Sequence, residues 1–224
     1  ILEYGTGGST LLALESSPKN IVYACETDST WLAKLMLYAS ENKLQSRLFP
    51  VHIDIGFGDG NALIQEAEKN PKTNFIGIEV HRPGIGRCLM EIRKKELSNI
   101  LISSHDAQEV MKSQIKDDSL DRINLYFPDP WPKKRHYKRR IIQTEFLNLC
   151  AKKLKMHGIF CIATDWRNYA EHIDSVIDLN ENFTIKIRLI HKGEGEANRP
   201  STKFEKKGLK KGHLIWDWVL KKTN

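Results

Sequence analysis

Short apolar runs alternate with helix-periodic stretches along most of the chain, and this alternation constrains its fold more than any other feature. The runs occupy residues 51–55, 74–80, 100–102, 120–127 and 159–164, followed by two more at 183–190 and 214–220. Strands that alternate with helices are typical of α/β proteins, in which helices cover both faces of a mostly parallel, twisted sheet. We therefore predict that architecture, with the last two strands as an antiparallel C-terminal hairpin.

Two connecting segments carry further expectations. A helix is predicted over residues 143–156, with Gly158 as its end, because apolar side chains recur on one side of this segment. The polar, glycine-spaced segment 193–213 is predicted to be a long functional loop.

Acidic residues occur at or near the ends of five successive predicted strands. They are Asp54, Glu79, Asp106, Asp129 and Asp165. In open α/β sheets, ligands bind at the carboxyl ends of the strands, where acids can bind ribose hydroxyls and polar base edges. The first strand also leads into the glycine-rich segment 56–60, and glycines placed there let the backbone approach a ligand closely. A nucleotide-like ligand is therefore predicted at this edge of the sheet.

The glycine-rich segment does not match the common phosphate-binding motifs. A dinucleotide fingerprint, G-x-G-x-x-G, requires glycine where Asn61 stands, and the sequence contains no P-loop motif. An acid-lined pocket instead suits a cofactor that carries a sulfonium and an ammonium group and has no phosphate. S-adenosylmethionine fits that description.

Positive charge is concentrated in two segments of a chain whose formal net charge is +7. Residues 133–140 hold six Lys or Arg, and residues 199–224 hold eight, opposed there only by Glu205 and Asp217. Basic clusters interleaved with aromatic residues indicate a polyanionic partner. A merely solvated surface is the alternative for a charge run of this kind.

The composition disfavours several other classes of protein. No segment approaches the roughly 18 apolar residues that a membrane span requires. The four cysteines are scattered without a Cys-x-x-Cys pair, so a reduced, cytoplasmic protein is expected and a structural zinc site is not. His81, His105 and His136 also lack the close spacing of metal ligands. We expect neither a metal nor a membrane partner.

Six segments together resemble one family of enzymes. They read DIGFG at 54–58, GIEVH at 77–81, HDA at 105–107, FPDPWPKKRH at 127–136, ATDW at 163–166 and RPSTKFE at 199–205. In their order and spacing, residues 51–224 closely resemble the bacterial tRNA (guanine-N7)-methyltransferases, which modify the guanosine at position 46 in the variable loop of tRNA.

The resemblance implies a Rossmann-like class I methyltransferase fold that uses S-adenosylmethionine, with tRNA as partner and a monomeric or homodimeric state. It implies a cofactor pocket lined by Asp54, Gly56, Gly58, Glu79, Asp106 and Asp129. Asp129 is expected nearest the transferred methyl group, as the catalytic residue. The guanosine is expected to contact Lys133, Asp165, Thr202, Lys203, Phe204 and Glu205. Phosphate contacts are predicted for the rest of the basic run: Lys134, Arg135, Lys138, Arg139 and Arg140.

The first 50 residues do not resemble the N-terminal segment of that family. They repeat the strand, glycine loop, helix, strand and acid order, with the glycine loop at residues 5–9 and the acid at Glu26. This order resembles the first βαβ unit of a different S-adenosylmethionine-dependent methyltransferase. We therefore divide the chain into an atypical segment 1–50, explained by a gene fusion or an artefact, and a methyltransferase domain 51–224. The loop at residues 5–9 is predicted to be vestigial.

Two alternatives remain open from the sequence. The Pro128-Asp129-Pro130-Trp131 turn is also similar to the turn of methyltransferases that modify exocyclic amines of adenine or cytosine. A catalytically inactive protein that binds tRNA is the second alternative.

Overall fold

A computed structural model describes Leu2–Tyr4, Tyr23–Cys25 and residues 50–224. Leu2–Tyr4 (β1) and Tyr23–Cys25 (β2) pair in parallel. The glycine loop predicted at residues 5–9 and Glu26 lie outside the described residues. The chain forms two compact units, Ile1–Lys116 and Asp117–Asn224, which we call the first and the second unit.

The first unit is built on parallel strands with buried, largely β-branched side chains. Its elements after β2 are β3 (Val51–Ile55), α1 (Asn61–Lys69), β4 (Asn74–Ile78), α2 (Arg82–Lys94), β5 (Ile100–Ser103) and α3 (Ala107–Ser113). β4 lies between β3 and β5 and pairs in parallel with both. Leu63, Phe75, Cys88 and Ile92 belong to one buried apolar cluster that fixes α1 and α2 against these strands.

The second unit contains the basic run and the antiparallel C-terminal strands. Its elements are β6 (Leu120–Tyr126), a 3₁₀ helix (Lys134–Arg139), α4 (Thr144–Lys153), β7 (Leu154–Thr164), α5 (Arg167–Asp178), β8 (Phe183–His191), α6 (Lys203–Lys210) and β9 (Ile215–Lys222). β6 and β7 are parallel, whereas β9 runs antiparallel to both β7 and β8. The seven strands β3 to β9 are thus mostly parallel, with an antiparallel C-terminal pair, as predicted.

Two local expectations were wrong, and one helix was not predicted. Gly158 does not end a helix, because α4 ends at Lys153 and Gly158 lies inside β7, where an added Cβ would lie 2.9 Å from the carbonyl oxygen of Lys155. The helix α3 had no predicted counterpart. The segment 193–213 is not one long loop, because it contains α6.

The part of the chain that the structure describes contains no helix long and apolar enough to cross a membrane. Its histidines, cysteines and acids form no cluster of three or more that a metal ion could occupy.

Candidate functional site

The glycine-rich segment forms a tight loop between β3 and α1. Gly56, Gly58 and Gly60 have φ angles of +70°, +63° and +80°, in the left-handed region that glycine adopts without steric cost. An added Cβ at Gly56 would meet nothing within 4 Å, so open space lies beside the backbone there. A ligand can therefore approach this backbone closely.

Glu79 ties the loop to the end of the neighbouring strand. Its Oε2 accepts a hydrogen bond from the Gly58 N–H at 2.8 Å. Its Oε1 accepts bonds from the backbone N–H groups of Val80 and His81, at 2.7 and 2.9 Å. The acid predicted at the end of this strand thus lies directly beside the predicted glycine loop.

Asp54 and Asp106 occupy contrasting environments. Asp54 is buried near the end of β3. Asp106 is exposed and begins α3, because its Oδ1 accepts bonds from the N–H groups of Gln108 and Glu109 at 2.9 and 3.2 Å. The position of an acid before α3 therefore also has a structural explanation as a helix cap.

This part of the first unit fits S-adenosylmethionine. The open space beside Gly56 admits a ligand, and acids lie at or near the ends of β3, β4 and β5. The carboxylate oxygens of these acids suit ribose hydroxyls and cationic groups. Burial, with smaller contributions from the charges of Asp59 and Asp54, raises the pKa of Cys88, behind the loop, to about 12. The Cys88 thiol is therefore protonated at neutral pH and is not a nucleophile.

Close packing of α2 on the loop gives a first prediction. An added Cβ at Gly84 would lie 2.1 Å from the carbonyl oxygen of Gly58. Relief of such a clash costs about 1–3 kcal/mol of folding stability and shifts the backbone of the loop, so Gly84→Ala is expected to weaken cofactor binding. Calorimetric titration with S-adenosylmethionine measures this. Gly86→Ala, on the same helix with no atom within 4 Å of its Cβ, is the matched control; equal affinities of both variants would refute the packing argument.

In the second unit, β6 leads into a strained turn that carries Asp129. Phe127 and Trp131, on either side of the Pro-Asp-Pro sequence, have φ angles of +55° and +43°, which are uncommon for residues with a Cβ. The exposed Asp129 accepts a hydrogen bond at Oδ1 from the Trp131 N–H at 3.1 Å. Strain of this kind clusters at functional sites, where it fixes an unusual backbone path.

The basic run follows this turn, and most of its cations are exposed. Exposed members are Lys133, Lys134, Arg135, Lys138 and Arg139. The Arg139 guanidinium lies 4.9 Å from the centre of the Trp131 ring, a cation–π distance. The 3₁₀ helix thus presents a cationic surface beside Asp129.

Arg140 does not belong to that surface. Only 2% of the residue is exposed, and its guanidinium donates to the Pro130 carbonyl at 2.9 Å and to Asn168 Oδ1 at 2.8 Å. The same guanidinium lies over the rings of Tyr137 and Tyr169. The predicted phosphate contact for Arg140 is therefore replaced by a structural role, which is to anchor the basic run to α5.

Arg199 organises the segment that begins α6. Its guanidinium donates to Asp217 at 2.6 and 3.1 Å and to Glu205 Oε2 at 2.7 Å, and it lies over the rings of Tyr126 and Phe127. Only 4% of the Arg199 side chain is exposed. It therefore links the turn that bears Asp129 to the start of α6 and to β9.

Thr202 and Glu205 form a capping box. The Thr202 hydroxyl accepts from the Glu205 N–H at 3.1 Å, and Glu205 Oε2 accepts from the Thr202 N–H at 3.2 Å. Glu205 is 1% exposed, so its carboxylate shapes the helix start and is not presented on the surface for a guanosine. Lys203 and Phe204, in contrast, are exposed.

Asp165 lies between α6 and an aromatic cavity. Its Oδ2 is hydrogen-bonded to His213 Nδ1 at 2.9 Å, and an added Cβ at Gly208 would lie 2.6 Å from the same oxygen. An open cavity of about 510 Å³ adjoins it. The lining residues are Asp165, Trp166, Arg167, Asn168, Glu171, Gly212, His213, Leu214 and Trp216. This volume lies in the range of pockets that bind small molecules or single nucleobases.

The structure thus gathers the predicted residues into two groups, one in each unit. Asp54, Gly56, Gly58, Glu79 and Asp106 lie in the first unit, and the other predicted residues follow β6, β7 and β8 in the second. Sequence reasoning assigned no role to Arg199, Gly84 or His213. Pro83 was a usable signal for the start of α2, but no local pattern indicated the close packing at Gly84.

Comparison with known proteins decides the family. A family model described as "Putative methyltransferase" matches residues 49–218. A tRNA (guanine-N(7)-)-methyltransferase from Shewanella frigidimarina is 47% identical over 171 residues, which cover 76% of this chain and 72% of that protein. This chain belongs to the tRNA (guanine-N7)-methyltransferase family. The member from Pseudoalteromonas translucida is 46% identical over 77% of this chain and 72% of its own length. The predicted family is therefore confirmed.

Solved structures of other methyltransferases share the fold of this family member. An antibiotic-related methyltransferase has a TM-score of 0.59 at 21% identity, covering 82% of this chain and 92% of its own. A SAM-dependent O-methyltransferase from Thermotoga maritima has a TM-score of 0.52 at 15% identity, covering 88% of this chain and 65% of its own. At these identities the likeness concerns the fold alone, and it confirms the predicted Rossmann-like class I methyltransferase fold.

Proposed function

We propose that this protein transfers the methyl group of S-adenosylmethionine to N7 of a guanosine in tRNA, at position 46 of the variable loop. The observation that carries the proposal is the 47% identity, over 171 residues, to a protein named for this reaction. A protein that acts on tRNA is expected in the cytoplasm, which is where we place it.

The cofactor is S-adenosylmethionine, which supplies an electrophilic methyl group on a sulfonium. Gly56 and Gly58 are proposed to let the loop backbone approach it. The carboxylates of Asp54, Glu79, Asp106 and Asp129 are proposed to bind its hydroxyl and cationic groups. The Gly58 N–H bond to Glu79 supports this assignment, because it holds one of these carboxylates at the loop.

Guanine N7 presents a lone pair on the major-groove edge of the base, so no proton has to be removed before it attacks the methyl group. The reaction moves a positive charge from sulfur to the guanine ring. Catalysis therefore depends on alignment and on a negative charge beside the purine. Asp129, exposed on a strained turn and held by the Trp131 N–H, is the residue we propose for that role.

The guanosine is proposed to contact Lys133, Asp165, Thr202, Lys203 and Phe204. Asp165 borders a cavity that also contains Trp166 and Trp216, and aromatic side chains in such a cavity favour stacking with a base. Glu205, with Arg199, is proposed to hold this segment in position through the capping box.

The exposed cations of the basic run are proposed to contact tRNA phosphates: Lys134, Arg135, Lys138 and Arg139. Removal of one such cation reduces the slope of log affinity against log salt by about 0.7 to 0.9, because one condensed counterion fewer is released on binding. Lys138→Ala and Arg139→Ala are each expected to flatten the slope by that amount, measured by filter binding between about 50 and 200 mM salt. Lys186→Ala, an exposed lysine of β8, is the control. An unchanged slope in the first two variants would exclude these contacts.

Methyl transfer from labelled S-adenosylmethionine to unmodified tRNA, followed by nucleoside analysis, tests the proposed function. We expect the label in 7-methylguanosine. Label in an adenine or cytosine amine would replace the proposal by the exocyclic-amine alternative. Salt-sensitive tRNA binding without any transfer would identify an inactive binding protein.

A further inference from the structure

The helix α6 carries a continuous row of lysines. Its exposed lysines and the one at its C-cap are Lys203, Lys206, Lys207, Lys210 and Lys211, which we call the lysine face of α6. With 3.6 residues per turn, the five positions fall within about 140° of the helix circumference. Of these five lysines, Lys206 alone forms an ion pair within the described residues. Its partner is Glu194, at 3.6 Å on the surface. This face therefore carries nearly unneutralised positive charge.

The rest of the fold holds this face outward. The opposite side of α6 contains the buried Glu205 and Gly208. Around the helix axis, their angular positions are about 200° and 140° when Lys203 is set to 0°. Glu205 is bonded to Arg199, and Gly208 packs so closely on Asp165 that a Cβ would clash there. Gly212, with φ of +76°, ends the helix. The orientation of the lysines is thus set by buried contacts near the start and in the middle of the helix.

These contacts also favour one class of polyanion over another. A helix that binds a membrane surface buries an exposed apolar face in the lipid. In α6 the side opposite the lysines is already packed against the protein, and Phe204, 54% exposed, is the large apolar side chain left at its edge. One aromatic ring beside a row of cations instead suits single-stranded nucleic acid, which offers both bases and phosphates.

We infer that the lysine face of α6 binds the phosphates of the RNA strand next to the methylated guanosine. This inference rests on the proposed function, because the helix starts at the segment proposed to hold that guanosine. Lys203, Lys207 and Lys210 extend about 10 Å along the helix axis. A surface of that length can contact more than one phosphate of the strand. The face lies on a different element from the basic run at 133–140.

A triple variant tests the inference. Lys207→Gln, Lys210→Gln and Lys211→Gln together remove three charges while keeping good helix formers, and they leave Lys203 unchanged. The slope of log tRNA affinity against log salt is expected to fall by about 2, and the KM for tRNA to rise, with kcat at saturating tRNA kept. The control triple, Lys69→Gln, Lys72→Gln and Lys112→Gln, removes the same charge from exposed positions of the first unit and is expected to keep the wild-type slope.

Each outcome supports or overturns the inference. Suppose that the wild-type protein methylates tRNA and that the α6 variant keeps the wild-type slope of log tRNA affinity against log salt. The inference about the lysine face is then overturned, and the proposed function stands. An equal decrease of the slope in both triple variants also overturns it, because net charge would then explain the effect. Binding of the wild-type protein to phosphatidylglycerol vesicles, abolished in the α6 variant while its tRNA slope is unchanged, would assign the face to a membrane. A wild-type protein without tRNA methylation refutes the proposed function itself.

Discussion

Asp129→Asn is expected to lower kcat by about 100- to 1000-fold while tRNA affinity stays within about threefold of wild type. Loss of one preorganised electrostatic group has effects of that size on a chemical step. The substitution keeps the acceptor that bonds to the Trp131 N–H, so the strained turn is retained and only the negative charge is removed. Single-turnover methyl transfer at saturating tRNA, with tRNA binding measured in parallel, separates the two quantities.

Asp178→Asn provides the control for this charge change. Asp178 is an exposed acid of the same unit that pairs with Arg188 at 2.8 Å, and its substitution is expected to leave kcat unchanged. If Asp129→Asn lowered tRNA affinity as much as turnover, Asp129 would be a binding residue and its electrostatic role in the chemical step would be refuted. A wild-type rate would remove Asp129 from the chemistry altogether.

Arg199→Met is expected to have the largest effect on stability. The substitution removes the guanidinium that pairs with the buried Glu205 and Asp217, and Asp217 keeps its hydrogen bond to His191 Nε2 at 2.8 Å. Removal of one partner from a buried ion-pair network costs about 3–5 kcal/mol, because the remaining charges stay desolvated. Denaturant unfolding measures the decrease in the free energy of unfolding.

Arg188→Met is the matched control for the removal of an arginine. Arg188 bridges Asp174 and Asp178 at 3.0 and 2.8 Å but is exposed, so a decrease of less than about 1 kcal/mol is expected. The combined variant Arg199→Met, Glu205→Gln, Asp217→Asn removes the stranded charges and is expected to recover part of the stability. If Arg199→Met and Arg188→Met unfolded alike, Arg199 would not organise the unit as we infer.

The alternation of strands and helices sufficed to predict the fold class. A strand of a parallel sheet is buried on both faces, so it appears in the sequence as a continuous apolar run. The two short helices α3 and α6 were not predicted. α3 has seven residues and α6 has eight, too few for a clear helical period. Their starts were nevertheless encoded, since Asp106 and Thr202 are each followed three residues later by a glutamate, which is a capping-box spacing. We interpreted both residues only as ligand contacts.

Charged residues show where a sequence alone cannot assign a role. Arg140 and Lys138 stand two positions apart in one basic run, yet the structure buries the first between two tyrosines and exposes the second. Arg199 and Asp217 are separated by 18 residues, and only the antiparallel course of β8 and β9 brings them together. Such pairings depend on tertiary structure, and no local spacing predicts them.

Chemical mapping of the modified nucleotide tests whether the protein methylates one guanosine of tRNA at N7. A single tRNA transcript is methylated by the protein, reduced with borohydride and treated with aniline, which cleaves the strand at 7-methylguanosine. We predict one cleavage in the variable loop at position 46, and neither cleavage nor label in a transcript that carries adenosine there. Cleavage at another position, or equal label in the adenosine transcript, would contradict the proposed function.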